Sequence, residues 1–314
     1  MALFSVVIPL YNKENHIQKT LNSVLSQSFT DFEIIIVNDG STDNSLKKAE
    51  VIKDSRILLY SIKNQGVSNA RNYGIKKANS DYICFLDADD FWYNNHLSQV
   101  KELLDSFPDC GLYATAYNRK IKNTLLKSKY HKVSNKKVWS GIINNYFEVS
   151  IVNSIAWTST VMVPKFIFDN VGFFDEKITL GAGEDTDMWI RIALKYPVAF
   201  NNIVTGYHNL DADNRITNSN TNNRQFINLD KYEDFTFEHK YLKKYLDLNR
   251  FSIGIQYKLA GNQSLAKTYF NKIDSTSLNY KQKILIKLNP SFLKFIIKVQ
   301  YVLRTLNIDL TAFK

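Results

Sequence analysis

The chain has 314 residues, of which 45% are hydrophobic and 22% charged, and its formal net charge is +10. This composition is typical of a globular protein and excludes a disordered chain, and the two cysteines, Cys84 and Cys110, lack the spacing of a disulfide framework or a zinc site. Because no run approaches the roughly 18 apolar residues of a membrane span, and the N-terminus enters a strand pattern without a basic leader, we expect a cytoplasmic protein.

The first hundred residues alternate between short apolar runs and amphipathic segments. The apolar runs predict four strands, at residues 4–8, 33–37, 56–60 and 82–86. Helices are predicted between them, over residues 14–26, from a cap at Asp43 onward, and over residues 67–78. Near-continuous apolar strands separated by helices indicate an α/β, Rossmann-like fold with a mostly parallel sheet flanked by helices.

An Asp-Ala-Asp sequence, Asp87-Ala88-Asp89, directly follows the fourth strand. Carboxylates at positions i and i+2 of an extended backbone project from the same side, and open α/β sheets bind ligands where their strands end. Carboxylate oxygens suit Mg²⁺ or Mn²⁺, which in turn bind nucleotide phosphates. The pair therefore predicts a metal-assisted nucleotide site. The alternative is a solvated turn, because turns favour Asp.

The glycine-rich phosphate loops of other nucleotide-binding folds are missing. The sequence contains no G-x-x-x-x-G-K-[ST], and no G-x-G-x-x-G follows the first strand. A P-loop ATPase and a dinucleotide-dependent dehydrogenase are therefore disfavoured, and the predicted metal is left to bind the phosphates.

Beyond residue 109 the pattern becomes less regular. Residues 113–117 and 157–163 have the composition of strands, and an amphipathic helix is predicted to begin at Glu184. Five aromatic residues in this part suit either sugar stacking or a core: Tyr113, Tyr117, Trp139, Tyr146 and Trp157.

The C-terminal part differs in pattern and in charge. Residues 209–223 are dense in Asn, Asp and Thr, which predicts a mobile loop or linker, and helical patterns follow. Residues 239–314 hold 14 Lys or Arg against 3 Asp or Glu, whereas the rest of the chain holds 26 against 27. We therefore predict two domains, an α/β domain over residues 1–220 and a helical, basic region over residues 221–314.

Two helical features are predicted in the basic region. Residues 260–270 resemble half of a tetratricopeptide pair and predict a local helical hairpin. Residues 290–308 form an amphipathic helix whose apolar face consists of Phe292, Phe295, Ile296, Val299, Leu303 and Leu306. The basic residues on its other faces are Lys294, Lys298 and Arg304. We predict that this helix lies on an anionic membrane surface. The alternative is packing on the catalytic domain or on a second subunit.

Five segments, in this order, resemble the family 2 glycosyltransferases, which are inverting enzymes of the GT-A fold. They are Val7-Ile8-Pro9-Leu10-Tyr11-Asn12, Val37-Asn38-Asp39-Gly40-Ser41-Thr42-Asp43, Gly66-Val67-Ser68-Asn69-Ala70-Arg71-Asn72-Tyr73-Gly74, Phe85-Leu86-Asp87-Ala88-Asp89-Asp90 and Gly183-Glu184-Asp185. The resemblance covers about residues 1–220. It implies a GT-A domain there and an enzyme that moves a sugar, a hexosyl or N-acetylhexosaminyl group, from a nucleotide-sugar to a glycan or lipid-linked acceptor of bacterial cell-surface polysaccharide.

The resemblance also implies roles for individual residues. Nucleotide binding falls to Pro9, Tyr11, Asn12, Asp39, Gly66, Arg71 and Asp87. Within this set, Asp87 binds the ribose and Asp39 a pyrimidine base. Asp89, with His208 as a possible further ligand, binds Mn²⁺ or Mg²⁺. Glu184 and Asp185 are the catalytic pair, and Asp185 is the general base that inversion by direct displacement requires. UDP is the favoured nucleotide.

Each role has a structural alternative. Asp39 suits an Asx-turn before Gly40, Arg71 suits a surface salt bridge, and Asp185 suits a helix cap. Tyr11 suits packing at a strand end, and a lone histidine such as His208 in a polar loop is commonly solvated. Trp189 suits either the acceptor cleft or, at its helical spacing, the core.

Three other functions remain as alternatives. A nucleotidyltransferase would normally carry a loop rich in Gly, Lys and Arg after the first strand, where this chain has Pro9-Leu10-Tyr11-Asn12-Lys13-Glu14. A non-catalytic nucleotide-sugar-binding protein is disfavoured because both Asp89 and Asp185 are present. The basic tail suggests nucleic-acid binding, but no recognised reading motif accompanies it, so no nucleic-acid partner is predicted. The cell membrane's inner face is the expected location if the C-terminal helix binds lipid.

Overall fold

The computed structural model describes residues 2–134, 136–215 and 219–313. Ten strands form one sheet: β1 Phe4–Leu10, β2 Phe32–Asp39, β3 Ile57–Ile62, β4 Tyr82–Phe85, β5 Phe91–Trp92, β6 Leu112–Ile121, β7 Thr124–Lys127, β8 Ser140–Ile142, β9 Val161–Pro164 and β10 Val198–Asn209. The α-helices of the described residues are α1 Ile17–Leu25, α2 Ser45–Glu50, α3 Val67–Lys77, α4 His96–Ser106, α5 Tyr146–Val149, α6 Phe166–Val171, α7 Glu184–Ala193, α8 Leu242–Leu259, α9 Gln263–Asn271, α10 Tyr280–Lys287 and α11 Pro290–Thr305.

The strand order brings the predicted site residues to one edge of the sheet. It runs β3-β2-β1-β4-β9-β6-β10-β5, with β7 paired to β6 and β8 to β10. Strands β1 to β4 are parallel, β9 is antiparallel to β4 and β6, and β10 is parallel to β6. The chain leaves β1 toward β2 and β3 and then crosses back to β4 on the other side. The topological switch point, where open sheets bind ligands, therefore lies between β1 and β4.

The sheet is buried on both faces, as its near-continuous apolar strands predict. Val7 and Ile35 contribute to one hydrophobic core, whereas their neighbours Val6 and Ile34 contribute to the core on the opposite face. Alternate residues of a strand point to opposite faces, so a strand covered by helices on both sides has to be apolar throughout.

Helices α8 and α9 of the C-terminal part pack on the first of these two cores. Leu242 and Tyr245 of α8 belong to the same hydrophobic cluster as Trp189 of α7, which is core rather than cleft. Helices α8 and α9 form the predicted hairpin, and Gly254 allows their close approach, since a Cβ there would lie 2.4 Å from the Phe270 ring. The division of the chain into two domains stays a prediction.

Helix α11 forms where the sequence predicts it, and only a narrow face of it packs on the rest of the protein, against α8 and β7. Leu293 is buried, and Asp309, just beyond the helix, pairs with Arg119 of β6 at 2.6 Å and with Arg304 at 3.0 Å. The opposite side is an exposed apolar stripe formed by Phe292, Phe295, Val299, Val302 and Leu306. Two residues of the predicted apolar face, Ile296 and Leu303, are half-buried instead. In the described parts of the chain, no helix is both long and apolar enough to cross a membrane.

Several predicted elements differ from those observed. Helix α1 begins at Ile17, three residues later than predicted. In the segment 157–163 a 3₁₀ turn at Thr158–Thr160 precedes β9, so the predicted strand was wrong in its first half. The predicted loop 209–223 starts at the last residue of β10, and its residues 216–218 lie outside the described residues.

Candidate active site

A cavity of about 540 Å³ opens at the switch point between β1 and β4. Every predicted site residue except Asn12 lines it: Pro9, Tyr11, Asp39, Gly66, Arg71, Asp87, Asp89, Glu184, Asp185 and His208. The side-chain oxygen of Asn12 instead accepts a hydrogen bond from the backbone N–H of Thr42 at 2.8 Å, which joins the loops after β1 and β2. Asn12 therefore shapes the rim of the cavity.

Asp39 anchors the loop that precedes α3. Its Oδ1 accepts the N–H of Gln65 at 2.8 Å, and its Oδ2 accepts that of Gly66 at 2.9 Å. Burial raises the pKa of Asp39 above its ordinary value, although both hydrogen bonds oppose this shift. Each carboxylate oxygen retains a second lone pair, so Asp39 can still accept a hydrogen bond from a ligand. At Gly66 the backbone has a φ of 95°, which favours glycine.

Arg71 is buried between two carboxylates, so the surface salt-bridge interpretation is wrong. Its Nη2 donates to Oδ1 of Asp87 at 2.8 Å and its Nη1 to Oε1 of Glu184 at 3.0 Å. Only 3% of its side chain is exposed. The guanidinium thus connects the end of β4 with the start of α7 through α3.

Asp89 forms an ion pair with Lys13 at 2.7 Å. The same ammonium donates to the carbonyl oxygens of Asp213 at 2.9 Å and Asn214 at 3.1 Å. Sequence reasoning did not single out Lys13, although it directly follows the first matching segment. Lys13 links the loop after β1 to the loop after β10 across the acidic edge.

Asp90 is a buried structural carboxylate beside the other two. It accepts hydrogen bonds from Oγ of Ser159 at 2.6 Å and from the N–H of Asn209 at 3.0 Å. Burial, and then the charges of Asp89 and Asp87, raise its pKa well above the ordinary value. Ser159 also accepts the N–H of Asp87 at 3.1 Å. Nothing in the sequence distinguishes Ser159 from the hydroxyl residues on either side of it.

The oxygen ligands at this edge fit a hard divalent cation. Mg²⁺ is commonly held by one or two protein carboxylates together with substrate phosphates and water, and Asp87 and Asp89 offer such carboxylates beside the cavity. Among the described residues, however, no three His, Cys, Asp or Glu side chains converge as a metal-binding group. A metal ion bound at this edge would therefore need oxygens of a nucleotide diphosphate as further ligands.

His208 is not a solvated loop residue. It lies near the end of β10, and its ring stacks on Trp157 with centroids 5.2 Å apart. Its Nε2 lies 3.3 Å from a guanidinium nitrogen of Arg215. Burial, and then the charge of Arg215, lower the pKa of His208 to about 3, so the imidazole is neutral at physiological pH. A neutral imidazole is the form that can bind a metal.

Asp185 is the second residue of α7, and Gly183 holds the N-cap position. Its Oδ1 accepts the N–H of Thr186 at 2.6 Å, so the carboxylate also satisfies one backbone amide of the first turn, as the helix-cap alternative expects. Oγ1 of Thr158 lies 3.5 Å from Oδ2 of Asp185. Of the five aromatic residues considered for sugar stacking, Tyr113, Tyr117 and Tyr146 are buried, Trp139 packs half-buried against the core, and Trp157 lines the cavity. The half-buried carboxylate of Asp185 therefore shares the cavity wall with the aromatic ring of Trp157.

The amino-acid sequence is similar to a known protein family and to several bacterial proteins. Residues 5–172 match the model of the family described as Glycosyl transferase family 2. A Rickettsia bellii protein described as an uncharacterized glycosyltransferase is 32% identical over 78% of this chain, which spans 34% of that relative. WfaP of Escherichia coli, named UDP-Glc:alpha-D-GlcNAc-diphosphoundecaprenol beta-1,3-glucosyltransferase, is 31% identical over 68% of this chain and 79% of its own length. The chain thus spans about a third of the Rickettsia bellii relative.

Solved structures of S. aureus TarS share the fold. TarS 1-349 gives a TM-score of 0.57 at 17% identity, over 85% of this chain and 90% of that one. The complex of TarS 1-349 with UDP-GlcNAc gives 0.54 at 18% identity, over 97% and 88%. At this identity the likeness concerns the fold alone, and it confirms the predicted α/β fold.

Proposed function

The chain belongs to glycosyltransferase family 2, and we propose that it transfers a sugar from a UDP-sugar to a saccharide acceptor, with inversion at the anomeric carbon. The observation that carries this proposal is that one cavity is lined both by Asp39, Asp87 and Asp89, which follow the strands, and by Asp185 of α7. Such a cavity offers groups for a nucleotide and a base for an acceptor hydroxyl.

The donor binds at the ends of β1, β2 and β4. Tyr11 is exposed beside Asp39, so a pyrimidine can pack on the ring while its N–H donates to the carboxylate. Asp87 accepts a hydrogen bond from a ribose hydroxyl. Two of the comparisons support a UDP-sugar: the printed name of WfaP contains UDP-Glc, and TarS has been crystallised with UDP-GlcNAc.

Asp185 takes the proton of the acceptor hydroxyl. As that oxygen forms a bond to the anomeric carbon, the bond from this carbon to the diphosphate breaks, and UDP leaves with the electron pair. Mn²⁺ or Mg²⁺ held by Asp89 would stabilise the charge on the leaving diphosphate as a Lewis acid. His208 is neutral, but its free lone pair at Nε2 faces the guanidinium of Arg215, so it would bind the same ion only if Arg215 moved away.

The acceptor is proposed to be a lipid-linked saccharide or a cell-surface glycan, with α11 on the inner face of the membrane. The acceptor in the printed name of WfaP is a diphosphoundecaprenol, which would be held in a bilayer. The exposed stripe of α11 adjoins Lys294 and Lys298, whose side chains are also exposed. An apolar stripe beside lysines suits an anionic lipid surface.

Metal-dependent nucleotide binding tests the donor half of this function. We expect titration calorimetry to show UDP binding that requires Mn²⁺ and is lost in EDTA, because the acidic edge would otherwise repel the diphosphate. Asp89→Ala should abolish the Mn²⁺ dependence. The matched control is Asp81→Ala, which removes an exposed carboxylate next to the opposite end of β4 and should bind like the wild type. Equal UDP affinity with and without EDTA would contradict the metal role.

The stereochemistry of the product tests the transfer half. With a UDP-hexose or UDP-N-acetylhexosamine as donor, NMR of the product should show an anomeric configuration opposite to that of the donor. Retention of configuration would contradict a single displacement with Asp185 as the base.

A further inference from the structure

Glu184 and Asp185 are neighbours in the sequence but face different surroundings. Glu184 is 5% exposed and pairs with Arg71, whereas Asp185 is half-buried in the cavity wall. Successive residues of an α-helix are turned by roughly 100° about its axis, since one turn takes 3.6 residues. Fixing the side chain of Glu184 therefore fixes the rotation of this helical turn, and with it the direction of the Cα–Cβ bond of Asp185.

The group that holds Glu184, the guanidinium of Arg71, also contacts the donor side of the site. Arg71 holds Glu184 with one terminal nitrogen and Asp87 with the other. The N–H of Asp87 in turn donates to Ser159, whose hydroxyl donates to Asp90. A continuous chain of hydrogen bonds thus runs from the first turn of α7 to the turn after β4.

Packing alone does not require an ion pair at this place. Removing charges from water is costly, and hydrophobic side chains of similar size would often hold the same elements as well or better. A guanidinium fork that holds two carboxylates adds defined distances and angles. The arrangement is therefore suited to positioning rather than to stability.

We propose that Glu184 is a positioning residue, which acts through Arg71 to hold the base Asp185 at a fixed place relative to the donor-binding turn at Asp87. This role rests on the proposed function and changes the assignment of two residues. Glu184 does not exchange a proton with substrate, and Arg71 orients the carboxylates instead of binding the nucleotide directly.

Two isosteric variants in the same helical turn separate positioning from stability. Glu184→Gln removes the charge that faces Arg71. Asp187→Asn removes a carboxylate that is 1% exposed but pairs with Arg191 at 2.9 Å and Lys231 at 2.6 Å. We expect Glu184→Gln to lower kcat for donor consumption by about 10- to 100-fold, the scale of a small misplacement of a reacting group, with KM for the donor nearly unchanged. Asp187→Asn should leave both constants near the wild-type values in the folded protein.

A rise in KM at unchanged kcat would overturn the proposal, because Glu184 or Arg71 would then serve donor binding. Equal losses of kcat in the two variants would also overturn it, since the effect would come from the stability of α7. Glu184→Asp keeps the charge but is one methylene shorter, and it should lower kcat as well. It serves as the second variant if the glutamine variant does not fold.

Hydrogen exchange tests the same link without any turnover. In Glu184→Gln, amides of the turn at residues 87–90 should exchange faster than in the wild type, although this turn is far from residue 184 in the sequence. In Asp187→Asn they should not. Unchanged exchange of this turn in Glu184→Gln would overturn the link. Failure of the wild type to consume any UDP-sugar would instead contradict the proposed function, and exchange would still decide the positioning role.

Discussion

In the proposed mechanism the carboxylate of Asp185 takes the acceptor's proton, so its basicity matters more than its shape. Asp185→Asn keeps the size of the side chain and removes its basicity. We expect turnover to fall by about a hundredfold or more, the usual scale for a lost general base, while UDP affinity stays close to that of the wild type. Initial rates and calorimetry measure the two quantities, with Asp187→Asn as control. Near-normal turnover would show that another group takes the proton.

His96 makes the stability of the protein depend on pH. Its ring is fully buried, stacks on Trp92 at 4.0 Å and has its Nδ1 2.8 Å from Oγ1 of Thr205. Burial lowers its pKa to about 3. Below about pH 6.5 this histidine is protonated in the unfolded chain but stays neutral in the folded chain. The histidine therefore removes about 1.4 kcal/mol from the free energy of unfolding for each pH unit between about 6.5 and 3.

His96→Phe keeps a ring against Trp92 and removes this titration. Urea unfolding at several pH values between 7 and 4 should show that the wild type loses stability more steeply than the variant, by about 1.4 kcal/mol per pH unit. Other groups, including His208 and the buried carboxylates, titrate equally in both proteins and cancel in the difference. Parallel stability curves would mean that His96 is protonated in the folded protein.

At the scale of residues, the sequence predicts which groups meet but not what they touch. Asp87 stands out because it follows a predicted strand, whereas the family resemblance assigns the roles of Asp39 and Asp185. The structure brings all three to one cavity. Lys13 and Ser159 were missed, since their importance depends on partners far away in the chain. Asn12 was assigned to the nucleotide, although its side chain bonds the neighbouring loop.

At the scale of elements, the contact between α3 and β1 sets the position of Arg71. A Cβ at Gly74 would lie 2.4 Å from a methyl carbon of Val7. Gly74→Ala should therefore destabilise the protein by about 1–3 kcal/mol, the usual cost of overpacking, despite the higher helix propensity of alanine. Chemical denaturation measures this loss. Lys76→Ala, at an exposed position of the same helix, should change stability far less. An equal loss of stability in the two variants would contradict the close contact between Gly74 and Val7.

Element prediction succeeded where burial and periodicity agreed. The strands β1, β2 and β4 are apolar runs bounded by polar turns, and their buried positions leave few alternatives. The first half of the segment 157–163 was wrongly assigned to a strand because Thr favours strands. In the folded chain, Thr158 lies near Asp185 and Ser159 binds Asp90, and these tertiary contacts accompany the 3₁₀ turn.

At the scale of the whole molecule, the proposed role of α11 is to hold the enzyme at a membrane surface. We expect the protein to co-sediment with phosphatidylcholine vesicles that contain phosphatidylglycerol, and to be released by high salt, which screens the lysines. Replacing both Phe292 and Phe295 by Ser should weaken this binding, because each ring is about half exposed in the stripe. Val51→Ser, at an exposed apolar residue next to α2, is the control.

Equal sedimentation of the double variant and the wild type would contradict a membrane role for the stripe. Point variants are preferable to truncation near residue 285. Truncation would also remove Asp309, and with it the ion pair to Arg119 of the sheet.

The contacts that close the cavity join distant parts of the chain, and this has a consequence for synthesis. Arg71 and Glu184 are separated by 113 residues, and Lys13 and Asp213 by 200. A ribosome adds roughly 5–20 residues per second, so Lys13 leaves it about 10–40 seconds before its partner loop does. Strands β1 to β4 are synthesised before residue 86, whereas the proposed base, Asp185, is added later. Every copy therefore exists for a time as a nascent chain that has the proposed nucleotide-binding residues but lacks the proposed base, and chains that stall before residue 185 should be inactive.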